Sequence, residues 1–187
     1  MKLIVIIGLI VLSTINAISQ KVEVLSPNKK IIIALYNKQS AEIGEWYLKI
    51  YYSYNGKIYE PIPEILLGLS RSDQDFLKEL KYLKAGKPLL ITETYTVLHG
   101  KRSHCSNSAN EVVVNFENPG KARINFIIRA YNDGVAFRYE FPEKEGSFII
   151  KDELTTYIIP DSTKRWLEKF NPANESLYSM MKDGNIQ

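Results

Sequence analysis

The stretch that decides the fold is residues 46–59, which read WYLKIYYSYNGKIY. Its side chains alternate along the chain as they do in a half-buried β-strand. One face of the first run carries Trp46, Leu48, Ile50, Tyr52 and Tyr54. Asn55-Gly56 then separates this run from a second apolar run. Because both central positions of a type I′ turn need positive φ, Asn-Gly at this place predicts a tight β-hairpin.

Further strand-like runs follow along most of the chain. The same alternation is found in Leu89–Leu98, Arg123–Tyr131 and Val135–Phe141, Lys30–Tyr36 is a β-branched run, and Glu111–Phe116, Phe148–Ile150 and Thr155–Ile159 are also predicted to be strands. Eight or more short strands with turn residues between them, and no long helical period, favour an all-β fold of antiparallel sheets packed as a β-sandwich. We assign this domain to residues 20–160.

The segments between these runs are harder to assign. Ser72–Leu80 has no clean alternation, and we expect a surface loop with one helical turn. His99–Asn110 is polar and contains His99, His104 and Cys105. Residues 161–187 show no strand alternation, and Asn171-Pro172 within them is a turn signal, so we expect the chain to leave the sandwich there.

The composition is that of a folded globular domain. Hydrophobic residues make up 45% of the 187 and charged residues 24%. The formal net charge of +3 gives no reason to expect nucleic acid or an anionic membrane as a partner. One cysteine cannot form an internal disulfide, and with two histidines it is too few for a Cys/His zinc site. A (β/α)8 barrel needs about 250 residues and does not fit in this length.

Residues 1–19 predict a secretory leader. Lys2 precedes the apolar run Leu3–Leu12, and Ala17-Ile18-Ser19 places small residues before Gln20. A short positive region, an apolar stretch of this length and a small-residue exit are typical of a cleaved signal peptide. A membrane-spanning anchor needs about 20 apolar residues, more than this run offers. We therefore expect a secreted chain that starts at Gln20 and has no membrane contact after cleavage.

Few residues form a catalytic pattern. His99, His104 and Cys105 share one polar segment, and a cysteine beside a histidine can act as nucleophile and base. On a strand, however, neighbouring side chains point to opposite faces, and no glycine elbow accompanies this pair. The two carboxylates of a glycoside hydrolase stand about 5–10 Å apart, and no spacing in the sequence picks out such a pair. We therefore assign no catalytic residue.

Two further groups have structural interpretations. Arg129 and Arg138 share the parity of Asn125 and Glu140, which predicts charge pairing across a hairpin. Asn132 and Asp133 are expected to serve the turn of that hairpin, because both tolerate left-handed φ and bond their own backbone.

Four stretches carry a resemblance to a known family. Residues 129–142, RAYNDGVAFRYEFP, resemble the N-terminal domain of glycoside hydrolase family 97. So do residues 93–102, ETYTVLHGKR, followed by Ala109-Asn110-Glu111, and the opening turn Ser26-Pro27-Asn28-Lys29. The run Asn174-Glu175-Ser176-Leu177-Tyr178 is similar to the segment that leaves the domain. Together they are spread along most of the range 22–178 and follow the expected order.

The resemblance implies a β-super-sandwich like that of galactose mutarotase, which in full-length relatives packs against a catalytic (β/α)8 barrel. Such enzymes cleave α-glucosides or α-galactosides with the help of calcium, and they are secreted, mostly to the periplasm of Gram-negative bacteria. The sandwich contributes one glutamate to the calcium site, and Glu175 matches it. Residues 161–187 would then begin the linker toward a barrel that this chain lacks.

This resemblance leads to a functional hypothesis with two alternatives. The chain is expected to be a truncated N-terminal domain that supports a barrel and does not hydrolyse glycosides alone. Near Glu175, Trp166 and Tyr178 are candidates for contact with the sugar substrate, or else they seal the interface with the barrel. The first alternative is a stand-alone carbohydrate-binding sandwich. The second is a small mutarotase-like epimerase, which would need His99 or His104 as acid or base.

Overall fold

The structure is a computed structural model that describes residues 20–39, 41–143, 146–161, 163–167, 172–173, 177 and 179–181. These residues form β-strands, turns and loops, which confirms the all-β prediction. Among them we find no helix with the length and apolar character needed to cross a membrane. The strands are β1 (Gln20–Leu25), β2 (Ile31–Asn37), β3 (Ile43–Gly44), β4 (Trp46–Tyr54), β5 (Lys57–Leu66), β6 (Leu69–Arg71), β7 (Asp75–Phe76), β8 (Leu80–Ala85), β9 (Leu89–Thr96), β10 (His104–Glu117), β11 (Arg123–Tyr131), β12 (Val135–Glu140), β13 (Ile150–Glu153), β14 (Thr156–Ile158), β15 (Arg165–Leu167) and β16 (Ser179–Met181).

The first large sheet has the order β1-β2-β4-β5-β14 and is antiparallel throughout. The predicted hairpin joins β4 and β5, and Asn55 and Gly56 have φ values of 49° and 74°, as a type I′ turn requires. In the described part of the chain, β14 pairs with β5 at residues 64–66. Nearer the hairpin, β5 therefore pairs with β4 alone, and its other edge has no described strand beside it.

The second large sheet has the order β12-β11-β10-β8-β3. One edge of β10 pairs with β11. The other edge pairs with β9 through residues 104–111 and then with β8 through residues 114–117. Most side chains of β9 are exposed, so β9 and the first half of β10 form a ribbon outside the core. We call these paired strands the β9–β10 ribbon.

The core lies between the two large sheets, and Trp46 joins them. Its indole Nε1 donates a hydrogen bond of 2.7 Å to the Leu80 carbonyl. Its ring centroid lies 4.9 Å from that of Phe116 and 5.8 Å from that of Tyr82. Since Trp46 belongs to the first sheet and its partners to the second, one fully buried side chain links both layers.

A second cluster forms around the small sheet β13-β6-β7. The Arg71 side chain is 3% exposed, and its guanidinium donates two hydrogen bonds to the Asp73 carboxylate, at 2.7 and 2.9 Å, and one to Glu143 at 3.3 Å. The guanidinium carbon also lies 3.8–5.5 Å from three phenylalanine ring centroids. Those rings belong to Phe76, Phe141 and Phe148. We call these six residues the Arg71 cluster.

One strand begins earlier than its sequence pattern indicates, and two expectations need correction. β10 begins at His104 and not at Glu111, because the polar residues before Glu111 find backbone partners on β9. Ser72–Leu80 contains the short strand β7 and no helical turn, and Phe76 within it is completely buried. Residues 161–187, which show no strand alternation, nevertheless include the paired strands β15 and β16.

The turn between β11 and β12 also differs from expectation. Neither Asn132 nor Asp133 has positive φ, and the turn is closed by the Tyr131 amide, which donates to the Gly134 carbonyl at 2.8 Å. Asn132 instead bonds across the molecule, where its Oδ1 accepts from the backbone amide of Asn28 at 2.8 Å. The side chain therefore ties two turns together rather than shaping its own.

Candidate functional site

A groove of about 800 Å³ runs along the open side of the sandwich, between β12 and the edge formed by β5 and β14. Its floor consists of buried aliphatic side chains of the first sheet and β6, those of Ile50, Ile65 and Leu69. Its walls include the aromatic side chains of Phe137, Tyr139, Phe141 and Tyr157. The groove is therefore mainly apolar, with Glu153 and Arg138 among its lining residues.

The groove exists because β12 is an edge strand. On the neighbouring strand β11, the inward side chain of Phe126 is 1% exposed. The inward side chains of β12, by contrast, are only partly buried. Among the described strands, only β11 pairs with β12, so the other edge of β12 is uncovered. Tyr139 is fixed there, because its hydroxyl accepts from the Gly68 amide at 3.0 Å and lies 2.7 Å from Thr155 Oγ1. Burial raises the pKa of Tyr139, so this wall stays uncharged at neutral pH.

The groove continues into a side arm of about 460 Å³ between the β4–β5 hairpin and the β11–β12 turn. Ile50, Ile62 and Val135 line both spaces. Tyr52 of β4 and Asp133 of the β11–β12 turn both line the arm. The sequence placed Tyr52 on the same face of β4 as Trp46 and Ile50, but it gave no signal that Asp133 would line the same space.

Arg129 forms a charge network on the outer face of the second sheet. It donates to Glu111 at 2.6 Å, to Glu93 at 2.8 Å and to the Tyr131 hydroxyl at 3.2 Å. Hydrogen bonds to Tyr131 and Glu111 raise the pKa of Arg129. The predicted cross-strand charge pairing is confirmed for Arg129, because Glu111 lies directly opposite it on β10. The partner is not on β12, where the residue opposite Arg129 is Ala136. The network thus holds the base of the ribbon to the sheet.

The residues of the epimerase alternative lie on the β9–β10 ribbon and its tip. His104 and Cys105 line a recess of about 290 Å³ together with Tyr95, which faces Cys105 across the strands. His99 is exposed in the loop between β9 and β10. No carboxylate belongs to the lining of that recess, whereas epimerase chemistry of this kind pairs a histidine with a glutamate. This geometry gives no support to an epimerase site.

The structure describes one of the three residues proposed from the resemblance. Trp166 lies on β15, opposite Met180 of β16, and its side chain is 62% exposed. Glu175 and Tyr178 lie outside the described residues, as does the expected leader of residues 1–19. Within the described ranges, no group of three or more His, Cys, Asp or Glu side chains is placed to hold a metal ion. The fit of a calcium ion at Glu175 therefore stays a prediction.

Comparison with known proteins gives a consistent result. Residues 24–187 match the family model described as glycosyl-hydrolase 97 N-terminal. A curated relative, a probable retaining alpha-galactosidase from Streptomyces bingchenggensis, is 27% identical over 122 residues, which are 65% of this chain and 18% of the relative.

Solved structures give the same picture of the fold. Two are glycoside hydrolase family 97 enzymes from Pseudoalteromonas sp. strain K8, one in complex with panose and one with acarbose. Each has a TM-score of 0.68 and 24% sequence identity, and the match covers 86% of this chain and 24% of theirs. The chain thus spans a quarter or less of the length of the relatives it matches.

Proposed function

Because the chain belongs to the glycosyl-hydrolase 97 N-terminal family, we propose that it is the non-catalytic sandwich of a glycoside hydrolase that acts on α-glucosides or α-galactosides. The match over residues 24–187 carries this proposal. The names of the relatives support the substrate class, since one is an alpha-galactosidase and others hold panose or acarbose. The role of the sandwich is to pack against a catalytic (β/α)8 barrel and to complete its active site.

The chemistry of glycoside cleavage supports a division of labour. Two carboxyl groups must face each other across the scissile bond, about 5–10 Å apart. The groove offers Glu153 and the side arm offers Asp133, on different elements and without a second carboxylate among the lining residues of either space. Residues 20–187 by themselves are therefore proposed to bind and position, and the acid and base to come from the barrel.

The first prediction tests this division. The proposed barrel partner is expressed with and without residues 20–187, and release of 4-nitrophenol from 4-nitrophenyl α-glucoside and α-galactoside is measured. We expect turnover when both parts are present and none from the sandwich alone, because neither the groove nor the side arm is lined by two carboxylates of the described residues. Turnover by the sandwich alone that Glu153→Gln abolishes would overturn the proposal. So would a barrel that is fully active without the sandwich, or a genome that encodes no such barrel.

The second prediction concerns calcium. We propose that Glu175 supplies one oxygen ligand of a calcium ion whose other ligands come from the barrel. Because calcium takes 6–8 oxygen ligands, one carboxylate gives no tight site. Calorimetric titration of the chain is expected to show no binding up to about 1 mM Ca²⁺. Tight, stoichiometric binding to the chain would contradict this, as would unchanged calcium affinity of the assembled enzyme after Glu175→Gln.

The proposed setting is the periplasm of a Gram-negative bacterium, reached through cleavage of residues 1–19. A periplasmic chain whose mass corresponds to residues 20–187 would support this, and a cytoplasmic chain that keeps its leader would contradict it.

Trp166 and Tyr178 are proposed to contact the substrate, or the barrel beside it, in the assembled enzyme. The 62% exposure of the Trp166 side chain leaves it available for such a contact.

A second candidate function is a stand-alone carbohydrate-binding sandwich. One observation favours it, namely that the exposed tyrosine Tyr52 and the carboxylate of Asp133 both line the side arm. The two candidates differ in what the chain does without a barrel, because a binding module holds sugar unaided. The side arm is therefore the place where they can be separated.

A further inference from the structure

Three tyrosines share one face at the end of the β4–β5 hairpin. Tyr52 and Tyr54 lie two residues apart on β4, and Tyr59 of β5 is paired directly with Tyr52. Their side chains are 37%, 53% and 49% exposed. The rings of Tyr52 and Tyr54 are nearly parallel, with 13° between their planes and 6.2 Å between their centroids. We call these three residues the tyrosine platform.

Two rings of the platform support each other, but its hydroxyls have no described partner. Stacking of Tyr52 on Tyr54 fixes the ring orientation before any ligand arrives, which lowers the entropic cost of binding. In the part of the chain that the structure describes, the hydroxyls of these tyrosines make no hydrogen bond. A tyrosine that neither packs in the core nor bonds through its hydroxyl presents an apolar face and a polar tip to solvent.

Asp133 lines the arm together with Tyr52, and it comes from the β11–β12 turn. Its neighbour Asn132 is bonded to the Asn28 amide, which anchors the turn to the rest of the sandwich. The Asp133 carboxylate itself has neither a hydrogen bond nor an ion pair with any described residue. The anchored turn thus places a hydrogen-bond acceptor without a described partner in the lining of the arm, to which Tyr52 also contributes.

The side chains that line the arm favour a neutral ligand over an anionic one. Its lining combines aliphatic and aromatic side chains with Asn132 and Asp133, and no lysine or arginine is among them. Phosphates, nucleotides and acidic peptides would meet one carboxylate and no cation, so they are disfavoured. A volume of about 460 Å³ lies within the usual range for small-molecule sites. The arm therefore suits a small neutral ligand with one apolar face and several hydroxyls.

We infer that the side arm binds a pyranose unit of a neutral oligosaccharide, with the sugar stacked on Tyr52 and a sugar hydroxyl donating to Asp133. The C–H face of a pyranose carries weak positive charge, which the negative face of an aromatic ring attracts. The sugar hydroxyls on the rim of the ring can donate to a carboxylate. That the sugars are α-linked glucosyl units rests on the proposed function.

The third prediction is the test. Maltotriose is titrated into the purified chain by calorimetry, and binding is expected with a Kd on the order of 1 mM. Tyr52→Ala is expected to weaken binding by about tenfold or more, because the stacking surface is lost. Tyr52→Phe keeps the ring and should retain most of the affinity, and Asp133→Asn should weaken it severalfold. Thermal unfolding of each variant shows whether the fold is kept.

Tyr95→Ala is the matched control for Tyr52→Ala. Like Tyr52, Tyr95 is an exposed tyrosine on a strand, but it lies on the β9–β10 ribbon and does not line the arm. It should leave the Kd unchanged. Absence of binding at about 20 mM maltotriose, or equal affinity of wild type and a folded Tyr52→Ala, would overturn the inference. So would a Tyr52-dependent self-association that maltotriose does not displace, which would show that the platform contacts protein.

The test separates this inference from the proposed function. If the barrel and the chain hydrolyse substrate together but maltotriose does not bind the chain, the sugar site is wrong and the supporting role stands. If maltotriose binds through Tyr52 but the chain is not needed for hydrolysis, the sugar site stands and the supporting role is wrong.

Discussion

Trp46→Ala is expected to lower the free energy of unfolding by about 3–5 kcal/mol, which is the usual cost of truncating a buried tryptophan. The side chain is completely buried and contacts aromatic rings of the opposite sheet. Its loss also leaves the buried Leu80 carbonyl without the 2.7 Å hydrogen bond that it now accepts. Since single domains are stable by about 5–15 kcal/mol, this variant lies close to the limit of folding. Urea denaturation followed by circular dichroism measures the change.

Two companion variants separate the contributions. Trp46→Phe keeps an aromatic ring and loses the donor to Leu80, so it should cost less than the alanine variant, about 1–3 kcal/mol. Trp166→Ala is the matched control, because that tryptophan is 62% exposed and its removal should change stability by less than about 0.5 kcal/mol. Equal losses at Trp46 and Trp166 would show that Trp46 is not the link between the sheets.

Arg71→Leu is expected to destabilise the fold by about 2–4 kcal/mol, although leucine is itself apolar. The guanidinium is held between three phenylalanine rings, and leucine cannot replace the cation–π attraction there. The carboxylates of Asp73 and Glu143 also lose their partner, but both are partly exposed and regain water. Arg71→Lys keeps the charge but loses the planar stack and the paired hydrogen bonds, so it should fall between wild type and leucine.

The pH dependence gives a second measurement of the Arg71 cluster. Hydrogen bonds from Arg71 lower the pKa of Asp73 below its usual value of 3.8. A carboxyl group with a lowered pKa in the folded state stabilises the protein above its unfolded-state pKa, and that stabilisation is lost as the pH falls through the folded-state pKa. Stability of the wild type should therefore fall more steeply below about pH 4 than that of Arg71→Leu. Parallel curves would indicate that the ion pair contributes nothing. Arg138→Leu, where the guanidinium lies 3.8 Å from Glu140 and is 63% exposed, serves as the surface control.

The sequence was sufficient for the hairpins but not for the clusters between them. Alternation and Asn55-Gly56 predict β4 and β5 because those signals are local. The Arg71 cluster joins β6 to Phe141, Glu143 and Phe148, which are distant in sequence, and no local pattern announces such a contact. The sequence did not predict that β10 begins at His104, and the reason is different. Both faces of the β9–β10 ribbon meet solvent, so its residues show no apolar alternation.

The candidate site shows the same division. The family resemblance, carried mainly by residues 129–142, is confirmed, and it places the chain among sandwich domains of glycoside hydrolases. The groove and its side arm were not predicted, because they arise where β12 and β5 end their sheets, and strand order cannot be read from periodicity. Tyr52 was assigned to the same face of β4 as Trp46 and Ile50, but it is 37% exposed while they are buried, and alternation alone does not indicate this difference.

The strand order has a consequence for how this protein reaches its native state. β3 comes from the connection between two strands of the first sheet yet pairs with β8 in the second, and β14 returns late in the chain to close on β5. No single cut in the chain therefore yields two halves that each contain all the strands of one sheet. Proteins dominated by such non-local pairings fold in about milliseconds to seconds, because the entropy of closing long loops must be overcome before the contacts form. The interleaved topology thus makes the domain a single cooperative unit that assembles slowly.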